Sequence, residues 1–207
     1  MGLWIGLANP VTASSVVTEI RGVEGDMLAN VQASVGLVQA QALEDVSVWR
    51  LRQLTDHART QVQAALQPFG YYQTNVFVRL DPPEQPAAPW HALIEIELGE
   101  PVRVAQLNLE WLDDEQDLDG LEEWSRNWPL PVGSILRHPE YERSLRQLDY
   151  LAEAEGYFTA QYESRWVEVD AARNQARIDV QYRPGPRYVV GQIEVEQAGF
   201  TERLIER

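Results

Sequence analysis

LQPFGYYQTNV at residues 66–76 and AEAEGYFTAQY at residues 152–162 describe the same event twice. In each, a helical run stops at a glycine, Gly70 or Gly156, and two aromatics follow at once, Tyr71-Tyr72 and Tyr157-Phe158. Glycine takes a left-handed φ without a Cβ clash, so it ends a helix and lets the last carbonyls be capped. The aromatics are expected to start a strand and to cover the helix end, each contributing about 2 kcal/mol if buried.

The two stretches are 86 residues apart, and other matches share that offset. Gly99 in ELGEPVRV falls on Gly185 in YRPGPRYV. Gln106-Leu107 and Leu109-Glu110 fall on Gln192-Ile193 and Val195-Glu196. Ala92, Ile94 and Ile96 fall on Ile178, Val180 and Tyr182. Ungapped matches at one offset mark an array of like units. The expected units are 14–100 and 101–187, with a third opening at 188–207.

Each unit reads in the same order. A first strand is expected at Val16–Ile20 and again at Val104–Trp111, where Leu107, Leu109 and Trp111 alternate with polar residues. Two helices follow, near 25–37 and 49–67 in the first unit and at Leu118–Asn127 and Pro139–Glu155 in the second. Leu51, Leu54, Ala58, Val62, Ala65 and Leu66 make one apolar stripe; Leu145, Leu148, Leu151 and Ala152 make the other. Pro139 suits a first helical position, where its missing N–H has no intrahelical partner. Second strands are expected at Tyr71–Leu80 and Tyr157–Val169, and third strands at Ala92–Leu98 and Ala176–Arg183. DPPEQPAAP and DAARNQ turn between them. The fold class is therefore α+β: tandem β-α-α-β-β units, each a three-stranded mixed sheet with two helices on one face.

Composition narrows the function classes. The 207 residues carry 32 acidic and 17 basic groups, a net charge of −15. Such a chain is repelled by phosphate backbones and anionic lipid surfaces, which argues against nucleic acid and membrane-surface binding. All the basic residues are Arg, a bias that reads as genome composition. There is no Cys, hence no disulfide framework, thiolate metal site or cysteine nucleophile. No stretch approaches the length of a membrane span. Residues 1–13 pair an apolar run, Leu3–Leu7, with the small-residue step Val11-Thr12-Ala13, and read as the remnant of a secretory signal peptide. An apolar terminus of no such role is the alternative.

Catalytic and metal signals are missing. Glu115-x-Asp117-x-Asp119-Gly120 imitates part of a calcium loop, but Glu stands where Asp is needed, and Arg126 where a bidentate Glu would be. His57, His91 and His138 show no ligand spacing. No nucleophile elbow, phosphate loop or dinucleotide fingerprint occurs. The expectation is a non-enzyme without cofactor or metal. Trp90, Trp111, Trp124, Trp128 and Trp166 are assigned to cores and joints, with Trp128 beside Pro129 and Pro131 expected where the two units meet.

A tandem unit of this order, with a Gly-Tyr-aromatic step after its long second helix, resembles the polypeptide-transport-associated (POTRA) domain. The residues carrying the resemblance are Leu66–Val76, Leu145–Tyr162, the 128–133 loop with Ile135-Leu136, and the Pro-Gly-x-Arg-Tyr step at 184–188. Within that superfamily it is similar to the TamA group. Its structural motif would be Gly70, Tyr71, Gly99, Gly156, Phe158 and Gly185. The resemblance implies a periplasmic arm of an outer-membrane assembly protein, reaching the membrane only through a C-terminal β-barrel absent from this chain. It implies a TamB-like, inner-membrane-anchored partner and nascent outer-membrane proteins as clients. It places client binding at the second strand of each unit, where an exposed edge can accept an extended chain. The residues implied are Tyr72, Thr74, Val76 and Val78, then Tyr157, Ala160 and Tyr162. Alternatives are an arm of a BamA-like or two-partner secretion transporter, or a periplasmic cell-division scaffold. Polar residues in the same strands, Gln73 to Asn75 and Gln161 to Ser164, could instead serve only to limit aggregation.

Overall fold

The computed structural model describes residues 15–43, 45–85, 88–112, 119–189 and 191, without the side chains of Asp119 and Leu121. The signal remnant, the acidic run at 115–118 and nearly all of the segment from 190 lie outside the described residues.

Two hydrophobic cores form, each under its own sheet. The first module comprises β1 (Val16–Arg21), α1 (Gly25–Ser34), α2 (Gly36–Gln39), α3 (Val48–Leu66), β2 (Asn75–Asp81) and β3 (Trp90–Glu97). The second comprises β4 (Arg103–Trp111), α4 (Asp119–Arg126), α5 (His138–Glu155), β5 (Gln161–Asp170) and β6 (Gln175–Arg183). The sheet orders are β1-β3-β2 and β4-β6-β5. In both, the last strand is central, parallel to the first and antiparallel to the second. The α+β class and the mixed three-stranded sheets are those expected from the sequence.

Period-2 patterning explains the central strands. Ala92, Ile94 and Ile96 are buried while His91, Glu95 and Glu97 face water. Ala176, Ile178, Val180 and Tyr182 do the same in β6. The long helices turn their stripes inward: Leu51, Ala58, Val62, Ala65 and Leu66 in α3, and Leu145, Leu148 and Ala152 in α5. Ser47 caps α3 by accepting the Arg50 N–H at 3.3 Å.

Four expectations need correction. The helix near 25–37 breaks at Val35, which is extended and fully buried. Gly36 restarts the chain as α2 and donates its N–H to Gln61 Oε1 at 3.0 Å. A Cβ on Gly36 would lie 3.0 Å from Leu54, so the close approach to α3 depends on its absence. The second strands begin at Asn75 and Gln161, four residues later than the aromatics suggest. Gly70 and Gly156 both have φ +92. Behind them the N–H of Tyr71 bonds Leu66 O at 3.3 Å and that of Tyr157 bonds Ala152 O at 2.8 Å. Gly70 and Gly156 themselves donate to Gln67 O and Glu153 O. This is the Schellman pattern, and it holds the first aromatic on the helix end instead of releasing it into the sheet. Finally, Trp128 sits in the second core, edge-on to Trp124 and Tyr141, with its indole N–H on Leu130 O at 3.0 Å. α5 also starts one residue early, at His138, with Pro139 still in its first turn.

Candidate functional site

A three-stranded sheet has two edges, and the two are treated differently here. The β1 edge is covered. Gln41, on the 3-10 turn Ala40–Ala42, accepts the Thr18 N–H at 3.1 Å, and the Thr18 hydroxyl reaches Leu37 O at 3.4 Å. The β4 edge is covered at its start by the loop before α5. Val104 N–H bonds Ser134 O at 2.9 Å, Gly133 N–H bonds Val104 O at 2.7 Å, and Leu136 N–H bonds Val102 O at 2.9 Å. By contrast, among the described residues nothing hydrogen-bonds the outward backbone of β2 or of Gln161–Val169 in β5. These two strands carry the unpaired N–H and C=O groups that can template another extended chain.

The open edges differ. β2 pairs with β3 without interruption from Asn75 to Asp81, with Phe77 exposed on the outer face beside Glu95. β5 has a bulge between Tyr162 and Ser164 and carries Glu163, Glu168 and Asp170. A bulge and charged side chains blunt an edge, so β2 is the less interrupted of the two.

The residues singled out from the sequence divide accordingly. Val76 and Val78 lie on β2, buried and half-buried against the first core. Thr74 is buried just before the strand, its carbonyl taken by Gln63 Nε2 at 2.9 Å. Tyr157 is buried at the end of α5, and Ala160 is half-buried in the connector. Tyr162 is on β5, but its hydroxyl donates to Asp149 at 2.7 Å and its ring meets Tyr182 edge-on at 4.9 Å. Burial and the Asp149 carboxylate push that hydroxyl well above its ordinary pKa, so it stays protonated as a donor. Tyr141 and Tyr182, buried nearby, are pushed up to about 12. The backbone of these strands, not those side chains, faces outward. Phe77 and Gln41 were missed by sequence reasoning, and the 128–133 loop with Ile135-Leu136 was read only as part of the resemblance, not as cover for an edge. Gln41 acts through its side-chain oxygen on a backbone N–H and the loop through its own backbone, and neither contact has a residue signature.

Tyr72 belongs to a different surface. It packs against the second core, and its hydroxyl lies 2.7 Å from His138 Nε2, the first residue of α5. Val102 N–H bonds Gly70 O at 2.8 Å. A Cβ on Gly70 would lie 2.6 Å from Leu136 O and 3.0 Å from Ile135. Gln73 reaches Ala171 O on the β5–β6 turn. The helix end of the first module is thus seated on the second. Burial lowers the His138 pKa, with Glu142 opposing, and raises that of Tyr72. Among the described residues no group of His, Asp and Glu could hold a metal ion, and no helix is long and apolar enough to cross a membrane.

The two modules share one sheet order, a long helix ahead of the second strand and a left-handed glycine at that helix's end. Residues 17–98 match the family described as POTRA domain, TamA domain 1. The first module therefore matches a TamA-type POTRA domain, and the second module repeats its sheet order. Among solved structures, the chain is similar to BamA POTRA3-5 of Haemophilus influenzae, at 12% identity, covering 94% of this chain and 74% of that one, with a TM-score of 0.42. It is also similar to POTRA1-2 of the periplasmic domain of Omp85 from Anabaena, at 12% identity, 86% and 98% coverage and a TM-score of 0.36. CdiB from Escherichia coli matches at 16% identity over 87% of this chain and 29% of that one, with a TM-score of 0.30.

Proposed function

We propose that the chain is a periplasmic docking arm of an outer-membrane protein assembly factor, built from units at 14–100 and 101–187 with a third opening at 188. It binds extended client segments by strand addition at β2, and more weakly at β5. The clients are nascent outer-membrane proteins, whose barrel strands alternate apolar and polar residues. The first unit also receives a TamB-like, inner-membrane-anchored partner, a reading that rests on its family. The observation carrying the proposal is the asymmetry of the edges: β1 is capped at Thr18 and β4 at its first residues by the chain's own side chain or loop, while β2 and Gln161–Val169 of β5 have no such cap among the described residues. Main-chain pairing tolerates varied sequences, which suits many clients.

Photo-crosslinkers at Phe77 on β2 and at Val17 on β1, offered a barrel-strand peptide, test it. Both positions are exposed apolar residues on outer strands. Capture at Phe77 and not at Val17 is the expected result. Equal capture at both, or capture only from the exposed Trp49 on α3, would sink strand addition.

A further inference from the structure

The second sheet differs from the first on its outer face, away from the core. β1, β2 and β3 pair without a register shift. Both outer strands of the second sheet carry one, between Val104 and Gln106 in β4 and between Tyr162 and Ser164 in β5. A bulge bends its strand and re-aims the side chains beyond it, and bulges concentrate beside functional sites. Here the residue that β4 leaves out of register, Ala105, forms part of the wall of a concavity of about 530 Å³. The rest of the lining is polar: Gln106, Glu168, Asp170, Arg173, Gln175 and Arg177. Ligand pockets span about 300–1,000 Å³.

Trp166 stands beside this hollow. The sequence places it in a core or a joint, but it is 46% exposed. Past the β5 bulge it lies opposite Asp179, and Asp179 lies opposite Asn108 on β4. The next rung on the same face holds Glu168, Arg177 and Gln106, so Trp166 is about 7 Å along β5 from the wall of the hollow. The polar groups around it are held in place. Asp179 accepts from Asn108 Nδ2 at 2.8 Å and from the Ser164 hydroxyl. Gln181 Nε2 donates to Glu110 at 2.9 Å. Arg173 pairs with Asp170 at 2.7 Å, and Arg177 lies 3.7 Å from Glu168. Each guanidinium keeps further donors and each carboxylate further lone pairs. In the first sheet the residue 86 positions before Asp179 is Leu93, and it lies opposite Arg79. The arrangement therefore belongs to the second module and is not a property of the repeat.

The chemistry of the face selects its ligand. The two carboxylates and two guanidiniums of the hollow cancel, so a strongly charged ligand of either sign meets as much repulsion as attraction. An apolar chain would leave the polar lining without partners. A neutral polyhydroxylated ring suits both parts: its hydroxyls donate and accept, and its C–H face packs on an indole. We propose that the outer face of the second sheet binds a neutral carbohydrate. Trp166 is the stacking platform, and Asp179, Gln106 and Arg177 supply the hydrogen bonds that orient the sugar. The site uses the face of the sheet, whereas strand addition uses its edge, so either reading can fail without the other.

Chitotriose and maltotriose, both uncharged, are the probes. Saturation-transfer NMR on the whole chain detects contact, and calorimetric titration gives the affinity. The expected result is transfer to the sugar C–H protons. Trp166→Thr, a residue suited to a strand, should weaken binding by about tenfold or more, and Trp166→Phe should restore most of it. Gln106→Ala, on a different strand, should also weaken binding, while Phe77→Ala on the first sheet should leave it unchanged. Thermal unfolding shows whether each variant keeps its fold. Preference for chitotriose assigns the face to an acetamido-bearing polymer, and equal binding of both assigns it to neutral sugars generally; either supports the site. Failure of both probes to bind overturns it, as does undiminished binding in a folded Trp166→Thr variant. Capture of a barrel-strand peptide by a crosslinker at Trp166, with neither sugar bound, would give the face to polypeptide and equally overturn it.

Discussion

At the residue scale, the left-handed glycines are the positions where one atom decides most. Gly70→Ala places a Cβ against Leu136 O and holds alanine at φ +92. The conformational cost alone is about 1–2 kcal/mol, and the clash adds to it. Urea denaturation should show a fall in stability of at least that size, and one below about 0.5 kcal/mol would mean the helix end has shifted to relieve the contact. His138 gives the second residue-level outcome. Its pKa is lowered in the fold by burial, against the opposing Glu142, while Arg137 and Glu140 nearby pair with each other at 3.2 Å. A group whose charged form is disfavoured on folding takes up protons on unfolding. Its contribution is fully present above the unfolded value of 6.5, and is lost as pH falls through 6.5 toward the lowered folded value. Once protonated, His138 can only donate to the Tyr72 hydroxyl. Stability measured from pH 7.5 to 5 should therefore fall more steeply in the wild type than in His138→Gln; parallel profiles would clear His138 of the effect.

At the element scale, edge protection is the property that most separates the strands. Gln41→Ala removes the acceptor on the Thr18 N–H and leaves the Leu37 contact. The β1 edge should then behave more like β2, with new capture of strand peptides by a crosslinker at Val17. No gain there would mean that α2 and the turn after it shield β1 by bulk alone. The Gly-aromatic step shows what patterning reveals and what it leaves undecided. The glycine and its role were legible, since only a residue free of Cβ fits that φ. The strand start was not, because whether an aromatic lies on a helix end or in a sheet depends on the partners that the fold brings to it. The same holds for Val35, whose burial in the middle of a helical pattern interrupts the helix.

At the scale of the whole molecule, two cores meet at a narrow joint. The joint is made of the Gly70–Val102 bond, the Tyr72–His138 contact and the Gln73 reach to Ala171. Deleting buried volume in one core should therefore act mainly on that module. Leu148→Ala, at a fully buried position of α5, should cost about 2–5 kcal/mol. Hydrogen exchange should show the loss concentrated in β4 to β6, with α3 and β3 amides still protected. Equal loss across both modules would mean the two unfold as one cooperative unit.

The sequence by itself determined the repeat, the order of elements in each unit and the alternating faces of the central strands. It also marked the glycines that end the long helices. These follow from local chemistry: the periods of helix and strand, and the freedom of a residue without a Cβ. Only the tertiary structure decided which sheet edges are open, where Trp128 packs, and that Tyr72 serves the joint. Those outcomes depend on backbone groups and side chains far apart in sequence competing for the same partners, and such competition is settled only when the layers come together.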